Sequence, residues 1–351
     1  MKKLTLLLTF AFCFSFPCFA QQGKLVLLSP QMIAIGKDEV ESLSEEESVK
    51  HKDGGYIENA AVVGCFAALS YRYTGGRYRD EEIRFRLHSP ESIVPNKKYP
   101  LLIWLHGAGE SGDDNRRQLA HMQSTIEFLV GDNKMDFYLL ATQCPADNQT
   151  WENSISSEGK GDAPLTIMKE ILDIMLEEYP IDRNRISFYG QCSGAHGAWH
   201  FLEMYPELVS AMTAFSTTPP TGLVWDERYR KTSFWAFNNL DDQGIPVEPM
   251  QKFVQQINDS GGLGYLTIRK TGGHDTWAAG MKKDKVVAWL VLQDRERFSP
   301  PPGVVVRPHA KAGRQFVLCV LPILLSVPLI IFKFKRRSIR KQQSAAEKEE
   351  A

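Results

Sequence analysis

The stretch Ile186 to His196, I-S-F-Y-G-Q-C-S-G-A-H, constrains this chain more than any other. A short apolar run (Ile186, Phe188, Tyr189) meets Gly190, then Cys192, then Gly194, and a helical pattern follows at once. That is how a strand turns sharply into a helix, with the apex residue strained and its side chain exposed. The helix passes close to the strand there, so the positions two before and two after the apex must be small. Gly190 and Gly194 meet that demand around Cys192, whereas a turn centred on Ser193 puts Gln191 and Ala195 at the tight positions. A thiol therefore stands where this kind of turn ordinarily carries a serine hydroxyl.

The elements around the turn set the fold class. Leu101 to Leu105 is a continuous apolar run, as expected of a central strand buried on both faces. Phe137 to Ala141, Val209 to Phe215, Phe234 to Phe237 and Tyr265 to Ile268 read as further strands. Between them, Pro164 to Tyr179 keeps apolar residues at three-or-four spacing, with Asp162 and Pro164 at its start and Pro180 at its end. Ala195 to Tyr205, Val247 to Ile257 and Asp284 to Leu292 are further helices. Strands alternating with helices predict an α/β fold with a mostly parallel sheet covered on both faces. Ile83, Phe85 and Leu87 alternate with Arg84, Arg86 and His88, the period of a half-exposed edge strand. Ile57 to Leu69 is apolar and small and reads as a buried element docked on the main body. Asp38 to Lys52 reads as a solvated acidic loop.

A thiolate that attacks an acyl carbon needs a base, and the base needs a group to orient it. Asp242 follows the Phe234–Phe237 strand and His274 follows the Tyr265–Ile268 strand, so both fall at carboxyl ends of strands, where open parallel sheets bind ligands. The order Cys192, Asp242, His274 is that of nucleophile, acid and histidine on such a sheet. Asp241 is the rival for the acid role. The backbone N–H groups of Ser193 and Ala108 are the candidate oxyanion donors, and His106 reads as a brace of the loop that carries Ala108.

Tyr99 to Asn115 (Y-P-L-L-I-W-L-H-G-A-G-E-S-G-D-D-N), Gln143-Cys144-Pro145 with Trp151, and Tyr179-Pro180-Ile181-Asp182 with Arg185-Ile186 carry a resemblance. From about Tyr78 to Leu292 the chain resembles the α/β-hydrolase superfamily, above all the secreted phospholipase/carboxylesterase and predicted-peptidase group. The resemblance implies an esterase fold and activity on esters, including feruloyl or acetyl esters of plant polysaccharides. It implies a serine at the turn, where this chain has Cys192; the dienelactone hydrolases are similar in carrying cysteine there. Gln143, Trp151 and Trp225 are candidate substrate-binding residues, and the two tryptophans read equally well as packing. A Cys192–His274–Asp242 hydrolase of carboxylic esters or lactones needs no metal or cofactor. A binding module that keeps the pocket without turnover, and a peptidase, are the rival readings.

The ends of the chain read differently from its body. Lys2 and Lys3, the apolar run Leu4 to Phe16 and small Ala20 form a signal-peptide pattern over residues 1–20. Residues 21–77 form an N-terminal extension, 78–298 the hydrolase domain and 299–315 a proline-rich linker. Phe316 to Phe332 is apolar at the lower limit of spanning length, about 17 residues. The basic tail 333–351 then predicts a single-pass anchor, with the catalytic body outside the cytoplasm. Cys65, Cys144 and Cys192 belong to the exported body, and an odd count leaves one thiol over unless chains pair. With 41 basic and 42 acidic residues, the formal net charge of −1 gives no electrostatic reason for a nucleic-acid partner.

Overall fold

The structure is a computed structural model that describes residues 23–29, 60–73, 82–131, 134–145, 151 and 163–303. The signal-peptide segment, the Asp38–Lys52 loop, Asp162 and the Phe316–Phe332 segment lie outside the described residues. The strands and helices described belong to a body ending at Pro302. In chain order they are β1 (Gly23–Ser29), α1 (Ala60–Gly64), β2 (Ala67–Tyr73), β3 (Glu82–His88) and β4 (Tyr99–Leu105). Then come α2 (Gln123–Leu129), β5 (Tyr138–Thr142), α3 (Ala163–Glu178), β6 (Ile181–Gln191) and α4 (Ser193–Met204). The last are β7 (Ala211–Phe215), β8 (Ser233–Asn239), α5 (Val247–Asp259), β9 (Leu263–Arg269), α6 (Trp277–Lys283) and α7 (Val286–Leu292).

Among the described residues, nine strands form one sheet in the order β1-β2-β3-β5-β4-β6-β7-β8-β9. The pairs from β5 through β4 to β9 are parallel, and β1, β2 and β3 join antiparallel. From β4 the chain crosses to β5 on one side and returns to β6 on the other. That reversal opens a crevice at the carboxyl ends of β4 and β6. Register levels those ends: Leu105 pairs with Gly190, Gln191 with Phe215, and Phe215 with Phe237. The residues that follow each strand therefore converge on one rim.

The apolar run of β4 is buried because the sheet is covered on both faces. Leu101, Ile103 and Leu105 face a core built with α3, α4 and α5, whereas Leu102 and Trp104 face one built with α1, α2, α6 and α7. Trp104 fills the second core without losing a hydrogen bond, because its Nε1 donates to the Gln118 carbonyl at 2.8 Å. Removing a fully buried indole of this kind costs about 3–5 kcal/mol.

Two expectations are corrected. β3 is not an edge strand: it lies between β2 and β5, and Arg86 and His88 are buried. Their polar groups are satisfied inside. Arg86 Nε donates to the Asn115 carbonyl at 2.6 Å, and His88 Nδ1 stands 2.9 Å from the Cys65 carbonyl. Alternation alone does not distinguish solvent from an internal partner of this sort. The Ile57–Leu69 stretch is also not one element, because it divides into α1 and the start of β2, which pairs along β3. Among the described residues no helix is long and apolar enough to cross a membrane.

Candidate active site

The turn after β6 has the strain that its glycines predict. Cys192 sits at φ 51° and ψ −120°, outside the regions an L-residue prefers, at a cost of order 1–3 kcal/mol. Its N–H is held by the Phe215 carbonyl at 3.0 Å, while its own carbonyl accepts from Ala195 N at 3.0 Å and starts α4. A Cβ on Gly190 would lie 2.5 Å from the Gly194 carbonyl, and one on Gly194 only 2.0 Å from the Leu105 carbonyl. Both glycines are required by close approach of α4 to β6 and to the end of β4.

The histidine loop is tied down at both ends of its glycine pair. Gly272 and Gly273 take φ of 136° and 56°, which only glycine adopts without strain. Their N–H groups donate to the two carboxylate oxygens of Asp241 at 3.1 and 2.8 Å. Asn239 Nδ2 holds the Gly273 carbonyl at 2.9 Å, and Ser216 Oγ donates to the His274 carbonyl. His274 Nδ1 then meets Asp242 Oδ2 at 2.8 Å, and Gly244 N donates to Asp242 Oδ1 at 2.9 Å. Asp242 is thus the carboxylate on the ring, and Asp241 is a brace of the loop.

The His274 ring also pairs with the Cys192 thiol. That pairing is the main reason His274 is raised to about 9, with Asp242 adding to it and partial burial opposing. It also lowers Cys192 below the ordinary thiol range, against the opposing effect of burial, and the Ser193 N–H helps. The two groups titrate as a pair, so their shifts belong to the thiolate–imidazolium state jointly. Asp242 is shielded, with its side chain 5% exposed, whereas His274 is 42% exposed and open to an incoming substrate.

Ser193 opens α4, so its N–H has no partner within the helix and faces the Cys192 side chain. Ala108 lies exposed on a single 3-10 turn, Ala108–Glu110, just beyond β4 on the same rim. His106 braces this loop. Its Nε2 accepts from Cys144 N at 2.9 Å, its Nδ1 stands 2.7 Å from the Gly107 carbonyl, and it is fully buried. Burial lowers it to about 4, so the ring is neutral at neutral pH.

The substrate-binding expectations for Gln143, Trp151 and Trp225 are corrected. Gln143 is 1% exposed and spends its amide on Asn115 N, Asp114 Oδ1 and the Glu110 carbonyl. Trp151 is also 1% exposed; it donates Nε1 to the His106 carbonyl and fills the space that Gly197 leaves. Trp225 is buried among Tyr229, Phe234 and Phe253. All three are framework, because no accessible face remains to meet a ligand. Cys65, Cys144 and Cys192 form no disulfide. Sequence reasoning passed over Glu110, His121 and Trp277, which gather beside the Cys192–His274 pair. The cue for Glu110 was its place at the end of the Gly107-Ala108-Gly109 turn, and that for Trp277 was its place three residues after His274. Among the described residues no group of three or more His, Cys, Asp or Glu side chains could hold a metal ion.

A family model described as "Putative esterase" matches residues 77–254, a span that takes in β3 through most of α5 with Cys192 and Asp242. A thermostable esterase of solved structure is similar at 26% identity and a TM-score of 0.57, over 70% of each chain. An acylaminoacyl peptidase from Pyrococcus horikoshii is 16% identical at a TM-score of 0.44, over 63% of this chain and only 41% of its own. A ferulic acid esterase from the anaerobic fungus Anaeromyces mucronatus is 17% identical at 0.45, over 68% and 92%. No curated protein sequence matches the chain. With its sheet of mostly parallel strands and this match over half its length, the chain belongs to the esterase family, hydrolases of ester bonds on an α/β-hydrolase-like fold.

Proposed function

We propose that this esterase uses Cys192 as its nucleophile, with His274 as base and acid and Asp242 as the group that orients His274. The observation that carries this reading is the pairing of Cys192, at a strained strand–helix turn, with His274, whose ring meets Asp242 Oδ2 at 2.8 Å. The thiolate attacks the acyl carbon, the carbonyl electrons move onto oxygen, and the N–H groups of Ser193 and Ala108 receive that charge. Collapse expels the alcohol, which takes its proton from His274, and leaves an acyl thioester on Cys192. His274, now neutral, takes a proton from water, and the resulting attack releases the acid and restores the pair.

Sulfur narrows the substrate class. Longer C–S bonds displace the intermediate from a site shaped around oxygen, so substrates with good leaving groups suffer least. Lactones, aryl esters and other activated carboxylic esters, small or polysaccharide-linked, fit this limit best. Peptide bonds, with poor leaving amines, fit it worst. The basic-apolar-small start of the sequence and its apolar, then basic, end support export of the body and its tethering to a membrane by residues 316–332. Turnover of p-nitrophenyl acetate by the full-length protein tests the chemistry. Cys192→Ala is expected to lower kcat by roughly 10⁴-fold or more. Turnover retained in that variant contradicts the assignment.

A further inference from the structure

A second carboxylate–histidine pair stands beside the nucleophile, outside the Cys192–His274–Asp242 chain. Glu110 closes the short turn after β4, and its side chain is 4% exposed. Its Oε1 lies 3.3 Å from His121 Nε2, and its Oε2 accepts from Gln191 Nε2 at 3.3 Å. Gln191 is the residue immediately before Cys192. The His121 ring packs on Trp277 with centroids 5.3 Å apart, and Trp277 meets the His274 ring edge-on at 5.8 Å. The carboxylate therefore touches the nucleophile turn directly and reaches the base through two rings. The loop is also shaped to it, since a Cβ on Gly107 would stand 3.1 Å from Glu110 Oε2.

A clamp with no chemical role does not need a charge here. Burying a carboxylate is costly even when it has partners, and a glutamine could hold Gln191 by a similar hydrogen bond. The charge acts on the thiol: Glu110 pushes Cys192 up while His274 pulls it down. A thiolate stabilised too far is a poor nucleophile, because reactivity falls with thiol pKa along a slope of about 0.4–0.5. A second negative charge that partly offsets His274 keeps the sulfur reactive.

We propose that Glu110 is a positioning residue of this site: its buried carboxylate, shared between Gln191 and His121, fixes the nucleophile turn and sets a negative charge against the Cys192–His274 pair. The proposal rests on the reading of Cys192 as nucleophile. The titratable groups facing the thiol are His274 from the loop after β9 and Glu110 from the turn after β4, with Asp242 on the His274 ring and His121 on Glu110.

The test is the rate at which iodoacetamide alkylates Cys192 in the full-length protein across pH, read on the Cys192 peptide by mass spectrometry. Glu110→Gln keeps hydrogen-bonding capacity and drops the charge. Its acid limb is expected to move to lower pH by roughly one unit, and its plateau rate to fall about threefold. His121→Phe keeps a ring on Trp277 but removes the donor that shares the Glu110 charge, so its limb is expected to move to higher pH. Opposite shifts support the proposal, whereas limbs that move together or stay fixed overturn it. If Glu110→Gln loses its melting transition, His121→Phe decides alone, and an unmoved or lowered limb overturns the proposal. Ester turnover, measured in parallel, keeps the two ideas apart. Turnover surviving Cys192→Ala removes the nucleophile reading, while the alkylation profiles still report the charge of Glu110.

Discussion

Cys65 and Cys192 carry the same thiol, and their surroundings push it in opposite directions. Cys65 is sealed in the core beside Val62 and Phe66, and burial drives it up to about 11. Cys192 is also partly buried, yet its hydrogen bond to His274 outweighs desolvation and lowers it. One partner ring separates a thiol held protonated from one drawn toward the thiolate. The two neighbouring aspartates divide in the same way. Asp242 accepts from the His274 ring, whereas Asp241 holds the backbone of Gly272 and Gly273. Asp242→Asn is therefore expected to lower kcat by roughly 10²- to 10⁴-fold, and Asp241→Asn by about tenfold at most. Initial rates on p-nitrophenyl acetate check this, and equal losses would contradict the division of roles. That Cys192, Asp242 and His274 come together was legible in the sequence, because glycines and strand ends mark them. Gln143, Trp151 and Trp225 were misread, since an aromatic or amide near a motif does not say which way it faces.

At the scale of elements, the site depends on how the end of β4 is held against the start of α4. His106 ties the end of β4 to the segment after β5, and only as a neutral ring can it accept from Cys144 N. Its value falls from 6.5 unfolded to about 4 folded, so the unfolded chain binds the proton more readily. The contribution is fully present above pH 6.5 and is lost progressively as pH falls toward 4, by roughly 3 kcal/mol in all. His88 is lowered by burial too and adds a slope of the same sign. The melting temperature of the full-length protein should fall between pH 7 and pH 4, and His106→Asn should flatten part of that fall while melting lower at pH 7. An unchanged slope in the variant would contradict the account. The antiparallel end of the sheet was less legible than its centre. β4 announces itself by a run of apolar residues, but β3 hides a buried arginine and histidine whose partners lie up to 29 residues away.

At the scale of the molecule, alternation of strands and helices was enough to predict a parallel α/β sheet, and the order of its strands was not. Strand order depends on which crossovers pack, and those contacts are long-range. The reversal between β5, β4 and β6 is what brings the Ala108 loop, the Cys192 turn and the His274 loop to one rim. The membrane tether proposed above is residues 316–332, where two added arginines would cost about 3 kcal/mol each on insertion. The full-length protein is expected in the membrane fraction, and the double variant Leu324→Arg, Leu325→Arg in the soluble one; full-length protein found soluble would remove the anchor. The central claim concerns a single covalent bond. Full-length protein turning over p-nitrophenyl acetate, quenched in acid and digested, should show one acetyl group on the Cys192 peptide that hydroxylamine removes. An acetyl group on Ser193 or on any other residue, with Cys192 unmodified throughout turnover, would contradict it.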